Sequence, residues 1–594
     1  MSVMALKESS LNMHDLPMGA ALDDNGVCTF KVWAPNADKV SVTGSFNSWN
    51  KQKPLKLAVE QGYWYGQASN VVAGDEYLIK IKSGKNSFTR IDPHARSVTN
   101  SSGNGIIYKD QFDWQQETYV LPSHNSLVIY ELHVGSYAMN EEGAPATFDD
   151  LIRKLDYLKE LGVNVVQIMP IAEFAGDLSW GYNPANIFSV ESAYGGPDAF
   201  KRFVKAAHEQ GIGVILDVVF NHFGPSDLAL WQFDGWSEND KGGIYFYNDH
   251  RSQTPWGDTR PDYGRKEVQD FILDNVRMWI EEYHVDGLRL DMTVFMRSIN
   301  GNTFDDSDLI AEGWDMFRRI NDLAHTLNPN ILMISEDLQG EPAITKGTQD
   351  GGAGFNAQWD KNFVHPVRAA LLVADDQYRS LSDIESALLL QYNDSPFSRV
   401  IYTESHDEVA NGKQRVPSEI DKEGLNYFAI KRAVLGSCLT MTSAGIPMLF
   451  QGQEFLQQGW FQDCKPLNWK HVQEYAGILN LHRDLIAKRI NLHQEGSGLA
   501  GAKTDVLVLD HEARIIAVSR YAEGEDPFIV VFNFGNRVIT DYAIPMGNIQ
   551  PNPQLIFNSD ARIYHEWFGD VGHGFVRDNN IIATIGAYGC LIFK

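Results

Sequence analysis

Three short acidic motifs stand in the middle of the chain: Asp286-Gly-Leu-Arg-Leu-Asp291, Ile334-Ser-Glu-Asp-Leu338 and Glu404-Ser-His-Asp-Glu408. Each follows a β-branched or apolar run of the kind that forms a buried parallel strand. Each therefore sets a carboxylate at the carboxyl end of a strand, where barrel enzymes keep their chemistry. Three converging carboxylates point to glycosidic-bond chemistry, because splitting an acetal takes one acid and one nucleophile or base.

The neighbours of these acids sharpen that expectation. Arg289 precedes Asp291 by two residues and shares its face of the strand, so its guanidinium is expected to lower the Asp291 pKa and keep it ionised. Glu336 follows the apolar run Ile331 to Ile334, and a half-buried carboxyl there has a raised pKa suited to protonating a leaving oxygen. Asp407 sits between His406 and Glu408. Asp217 and His222, in Asp217-Val-Val-Phe-Asn-His222, close another strand and are candidates for sugar hydroxyls. Tyr182, in Trp180-Gly-Tyr-Asn-Pro184, could stack on a pyranose ring. Taken singly, each has a plain structural reading as a strand-end ion pair, a solvated acid or a core aromatic. Their recurrence after successive strands shifts the balance.

The elements needed to hold these residues are legible. Strand-like runs cover Leu127 to His133, Val163 to Met169, Gly213 to Val219, Val285 to Asp291, Ile331 to Glu336, Phe355 to Gln358, Val400 to Thr403 and Ile446 to Phe450. Helical segments between them include Phe148 to Leu161, Pro197 to Gln210, Lys266 to Tyr283 and Leu425 to Ala444. This alternation predicts an α/β protein built on a (β/α)₈ TIM barrel over residues 119–495. The aromatic, loop-like stretch of about 222–265 after the third strand reads as a functional insertion. Residues 1–118 read as an N-terminal β-sandwich, with Thr29 to Trp33 and Val40 to Thr43 as a hairpin closed by Phe46 to Asn50. Asp113 to Ser126 is a candidate linker. Strand runs in 496–594 predict a C-terminal β-sandwich.

Composition narrows the partners. At 594 residues the chain is too long for one core. A formal net charge of −27 argues against nucleic acid and against anionic lipid, but not against a neutral polymer. Cys28, Cys438, Cys464 and Cys590 have no metal-ligand spacing and read as buried free thiols in a reducing compartment. No metal and no cofactor are expected. The acids of the insertion (Asp227, Asp234, Glu238, Asp240) are explained as well by a solvated loop as by a cation. Met1 to Gly19 lacks a continuous apolar core and no run approaches ~20 apolar residues, so the expected location is cytoplasmic, without a membrane span.

Asp217 to His222, Gly287 to Asp291, Glu336 and Ser405-His-Asp407 resemble, in order and spacing, the four signature segments of the α-amylase superfamily. The resemblance implies Asp291 as nucleophile, Glu336 as general acid/base and Asp407 as transition-state stabiliser. It also implies that Tyr182, Asp217, His222, Arg289 and His406 line the reacting subsite. It further implies retention of anomeric configuration, with catalytic carboxyls ~5–5.5 Å apart. Phe30 to Pro35 and Gly44 to Trp49 resemble the glycogen-binding-type sandwich of that superfamily, with Trp49 and Trp64 as candidate sugar platforms. Ser405 to Val409 with Asn411-Gly-Lys413, Tyr263 to Val268, and the tail segments Phe534 to Tyr542 and Phe557 to Asp560 are similar to 1,4-α-glucan branching enzymes. Trp180 to Pro184, Phe220 to Pro225 and Thr254 to Asp258 look instead like malto-oligosyltrehalose trehalohydrolase. The implied substrate is an α-1,4-glucan such as glycogen, amylose or a maltooligosaccharide. A branching transferase is the first reading and a hydrolase the second. A glucan-binding protein that has lost catalysis would be expected to lack a carboxylate, and none is missing.

Overall fold

The structure, a computed structural model, describes residues 16–594 apart from 51, 55, 58–61, 116–117, 141, 495, 497 and 548–552. Most of the segment 1–19, read above for a leader, and part of the linker 113–126 lie outside the described residues.

Eight parallel strands close into a barrel: β1 (Ile129–Leu132), β2 (Val165–Ile168), β3 (Gly213–Val218), β4 (Gly287–Leu290), β5 (Leu332–Ser335), β6 (Ala357–Trp359), β7 (Arg399–Ile401) and β8 (Ile446–Phe450). Each falls on one of the apolar runs, and β8 pairs with β1 to complete the cylinder. The interior is packed with Ile129, Val165, Ile215, Leu332, Ile334, Val400, Ile446 and Met448. Each such side chain contributes roughly 1.5–3 kcal/mol by leaving water, so the inside is a core and not a pore. Gly287 is required by close approach: a Cβ there would lie 2.5 Å from the Leu332 carbonyl of the adjoining strand.

The helices between the strands follow the expected periodicity. Gly196–Glu209, Lys266–Glu281 and Tyr427–Thr442 each match a segment read from the sequence. The segment Phe148 to Leu161 is broken: Phe148–Ile152 and Leu155–Leu161 are separate helices. The sequence reading also missed a short antiparallel pair after β2, Ala172–Phe174 with Pro184–Val190. A leading proline masked the second strand.

The N-terminal module is a sandwich, but its first two long strands do not form the expected hairpin. Val27–Trp33 pairs with Gly19–Leu22 and Tyr63–Ser69, whereas Lys39–Gly44 pairs with Lys53–Pro54 and Glu76–Ser83 in the other sheet. The turn at Ala34 to Asp38 therefore crosses between sheets, letting both strands bury apolar faces in one core. The C-terminal module has a five-stranded and a three-stranded sheet, ending with Cys590–Phe593 inside the larger one.

The insertion after β3 is irregular and clamps the N-terminal module. Buried Asp234 accepts from the backbone and side-chain amides of Asn36 at 2.9 and 3.0 Å, and Asp227 accepts from Ser101 at 2.9 Å. Two of its acids thus bind protein donors. Three cysteines are buried and Cys464 is exposed, which corrects the expectation of four buried thiols. Among the described residues no helix is long and apolar enough to cross a membrane.

Candidate active site

The carboxyl ends of β3, β4, β5 and β7 bring the acidic motifs together. Asp291 and Glu336 sit one residue beyond β4 and β5. Their backbone N–H groups donate to Val218 and Leu290 at 3.0 Å, extending the ladder one step. Both side chains are therefore set by the rigid sheet and not by a loop.

Arg289 lies at the centre. Its Nη1 donates to Asp217 Oδ2 at 2.7 Å and to Asp291 Oδ1 at 3.2 Å, and its Nη2 lies 2.8 Å from Glu336 Oε2. The guanidinium stacks over Trp359 at 4.2 Å. A fully buried cation is tolerated because three carboxylates face it.

The electrostatics correct one expectation. Burial is the largest influence on Asp291 and raises its pKa. Arg289 and the Asn221 amide pull it down, but less strongly. Burial likewise pushes Asp217 up to about 7 against the pull of Arg289. Glu336 is held well above the usual carboxylate range, first by burial and then by the charges of Asp291 and Asp407, with Arg289 opposing. Arg289 therefore limits the rise at Asp291 rather than producing a depressed pKa, because its charge is divided among three acids.

Glu336 also accepts the Met292 backbone N–H at 2.9 Å. Met292 has φ +35°, a strained position for a side-chain-bearing residue, directly after Asp291. That strain aims an amide at Glu336, which only the folded backbone reveals.

The two histidines adopt opposite states. His222 is buried, and desolvation lowers its pKa to about 3, so it is neutral. The Asn221 amide donates to Asp291, which leaves Asn221 Oδ1 as acceptor, 2.5 Å from His222 Nδ1. Nδ1 of His222 thus faces an acceptor, and Nε2 lies 3.4 Å from Asn183 Oδ1. Burial would also discharge His406, but the charges of Asp407 and Glu131 outweigh it and raise it to about 9. His406 is a cationic donor at neutral pH.

Tyr182 stacks on His406 with ring centroids 4.9 Å apart and donates its hydroxyl to Asp217 at 2.7 Å. It is reached because Gly181 adopts φ +92° where a Cβ would lie 2.1 Å from the Pro170 carbonyl. Asp407 is more exposed than the other acids, its Oδ2 3.5 Å from His406 Nε2. Asp217, Arg289, Asp291, Glu336, Tyr182, His406 and Asp407 thus form one connected cluster, and His222 joins through Asn221.

The two surface candidates separate. Trp49 is 38% exposed, whereas Trp64 is 6% exposed and donates its indole N–H to the Ala34 carbonyl at 2.9 Å. Trp64 has no free face for a sugar; it is a core residue.

The catalytic-domain profile of the alpha amylase family, "Alpha amylase, catalytic domain", matches residues 95–253 and 225–520. The chain belongs to the alpha-amylase family. Residues 17–95 match "Carbohydrate-binding module 48 (Isoamylase N-terminal domain)" and 507–594 match "Alpha amylase, C-terminal all-beta domain". The "1,4-alpha-glucan branching enzyme GlgB" of Oceanobacillus iheyensis is 30% identical over 569 residues, 90% of this chain and 86% of the relative. That of Methylococcus capsulatus is 29% identical over 578 residues, 90% of this chain and 74% of the relative. Among solved structures, the product complex of the glycogen-degrading pneumococcal virulence factor SpuA superposes with TM-score 0.77 at 18% identity, covering 98% of this chain and 70% of that one. A pullulanase from Anoxybacillus sp. LM18-11 complexed with maltotetraose gives TM-score 0.74 at 21% identity, covering 97% and 87%. These two likenesses establish the fold.

As an alpha-amylase family member the protein is a glycosyltransferase or glycoside hydrolase. Within this family site, sequence reasoning missed Glu131, Asn221, Trp359 and the Met292 amide. Glu131 sits in the run Leu127 to His133, where a lone acid among apolar residues was the available signal. Asn221 lay inside a quoted motif without a role.

Proposed function

We propose that the protein is a 1,4-α-glucan branching enzyme, cytoplasmic, acting on glycogen- or amylose-type chains. The observation that carries this reading is identity of about 30% over nine-tenths of the chain to relatives of that name. The site geometry supports the chemistry. Asp291 attacks the anomeric carbon of an α-1,4 link while Glu336, its proton retained by burial, protonates the departing 4-oxygen. This leaves a glycosyl ester on Asp291 and Glu336 as a carboxylate. A glucan 6-hydroxyl then attacks the anomeric carbon, giving its proton to Glu336 as the bond from that carbon to Asp291 breaks, so that configuration is retained and an α-1,6 branch results. His406, Asp407 and Tyr182 hold the reacting ring, and neutral His222 contacts one of its hydroxyls. The N-terminal module, with Trp49 at its surface, keeps the polymer close.

A hydrolytic reading places water where the 6-hydroxyl would sit. It is favoured by the trehalohydrolase-like segments flanking the site, one of which stacks Trp256 on His222 at 4.5 Å.

Proton NMR of amylose incubated with the purified protein, beside a reducing-end assay, separates the two. Growth of the α-1,6 anomeric signal with few new reducing ends supports branching. Reducing ends rising without that signal sink it. In either case Asp291→Asn abolishes turnover, because an amide cannot form the ester.

A further inference from the structure

We propose that Glu131, on β1, is a positioning residue for the glycosyl transfer: it clamps His406 so that the second ring nitrogen faces the reacting sugar beside Asp407 as a donor. The inference rests on the reading of Asp291, Glu336 and Asp407 as the reacting carboxylates.

Glu131 is fully buried on the first barrel strand, which contributes none of the acids named above. Its two oxygens grip one residue from the loop after β7, on the far side of β8. Oε2 accepts the His406 backbone N–H at 3.0 Å and Oε1 contacts His406 Nδ1 at 2.7 Å. This two-point hold fixes both the loop after β7 and the rotation of the ring. Stacking on Tyr182 from the loop after β2 fixes its plane, and Trp180 and Trp359 close the ring at centroid distances of 5.8 and 5.9 Å. With Nδ1 committed to a carboxylate, the ring is anchored as a donor there. Its free end, Nε2, lies 3.5 Å from Asp407 Oδ2.

Glu131 itself reaches no sugar; it acts through His406. Charge is part of the effect. The titratable and charged groups facing His406 are Glu131 on β1, His133 just beyond it, Tyr182, Arg289 on β4, Asp291, and Asp407. Burial and Arg289 oppose a charged imidazole, so the carboxylates of Glu131 and Asp407 decide its state. Removing the Glu131 charge releases the His406 proton at a lower pH.

The experiment follows initial rates of amylose consumption by loss of iodine absorbance, which reads branching and hydrolysis alike, between pH 5 and 10. The variants are Glu131→Gln, Glu131→Asp and Asp291→Asn, each checked by thermal melting. For Glu131→Gln the alkaline limb of kcat/KM moves toward neutral by about one pH unit or more, a tenfold loss of proton affinity, with activity near pH 6 least affected. Glu131→Asp keeps the charge but not the reach. Its limb stays within about half a pH unit of the parent's, by the same proportion, while kcat falls and KM changes little. An unchanged limb in Glu131→Gln, or a uniform loss at every pH, overturns the proposal. Should Glu131→Gln not fold, full kcat in Glu131→Asp overturns it. Activity in Asp291→Asn would instead overturn the underlying assignment of the nucleophile, independently of Glu131.

Discussion

Asn221 donates its side-chain amide to Asp291 twice, to the peptide oxygen and to Oδ2, each at 2.8 Å. The other carboxylate oxygen, Oδ1, receives Arg289 Nη1 at 3.2 Å. The two oxygens of the proposed nucleophile are therefore held by different partners, one neutral and one charged. The neutral partner is in turn bound to His222, so an uncharged string of two residues fixes the face opposite the cation. This divides labour: Asn221 sets the orientation of Asp291, and Arg289 balances the charge of three acids at once.

Asn221→Ala removes a donor that lowers the Asp291 pKa. The Asp291 pKa then rises, so a smaller fraction is ionised at a given acid pH. The acid limb of kcat/KM is expected to move to higher pH, with roughly 10–100-fold loss at neutral pH from disorientation. A pH–rate profile on amylose checks it; an acid limb that stays in place contradicts the role given to Asn221.

Arg289→Ala leaves Asp217, Asp291 and Glu336 facing one another in a buried site. The expected loss is about 3–5 kcal/mol at pH 8, the range for breaking a buried ion pair. All three carboxyls already have raised folded pKa values. Their ionisation therefore costs stability as pH rises through those values, and the cost disappears once they are protonated. The deficit in melting temperature should thus be larger at pH 8 than at pH 5. Equal deficits at both would mean that lost packing on Trp359 dominates.

Trp49 and Trp64 should part company. Trp49→Ala is expected to weaken retention on glycogen in affinity electrophoresis and leave the melting temperature nearly unchanged. Trp64→Ala is expected to cost about 3–5 kcal/mol, the range for emptying a buried tryptophan site, without a separate binding defect in whatever protein remains folded. The opposite pattern would show that the exposed indole plays no part in binding glucan.

Within the chain, the barrel was legible because its strands are buried on both faces and read as unbroken Ile/Val/Leu runs separated by amphipathic helices. Each of the eight runs overlaps its strand, with β6 reaching Trp359 and β7 starting at Arg399, one residue outside their runs, and the acids that follow lie at the strand ends. Asp217, Arg289, Asp291, Glu336, His406 and Asp407 could be named for that reason.

Partnerships across the barrel were not legible. Glu131 and His406 are separated by 275 residues, and no local pattern says that a lone acid on the first strand meets a loop after the seventh. The division of Arg289 among three carboxylates, and with it the sign of the Asp291 shift, depends on burial that no spacing reports. The two long strands at Val27–Trp33 and Lys39–Gly44 went to opposite sheets because a sandwich core accepts either pairing, and only the remaining strands choose between them. Trp49 and Trp64 look alike in sequence; one faces water and the other fills the core. Element types and the placing of the acids were set by local periodicity, whereas charge states, orientations and partners were decided by distances that only the folded chain creates.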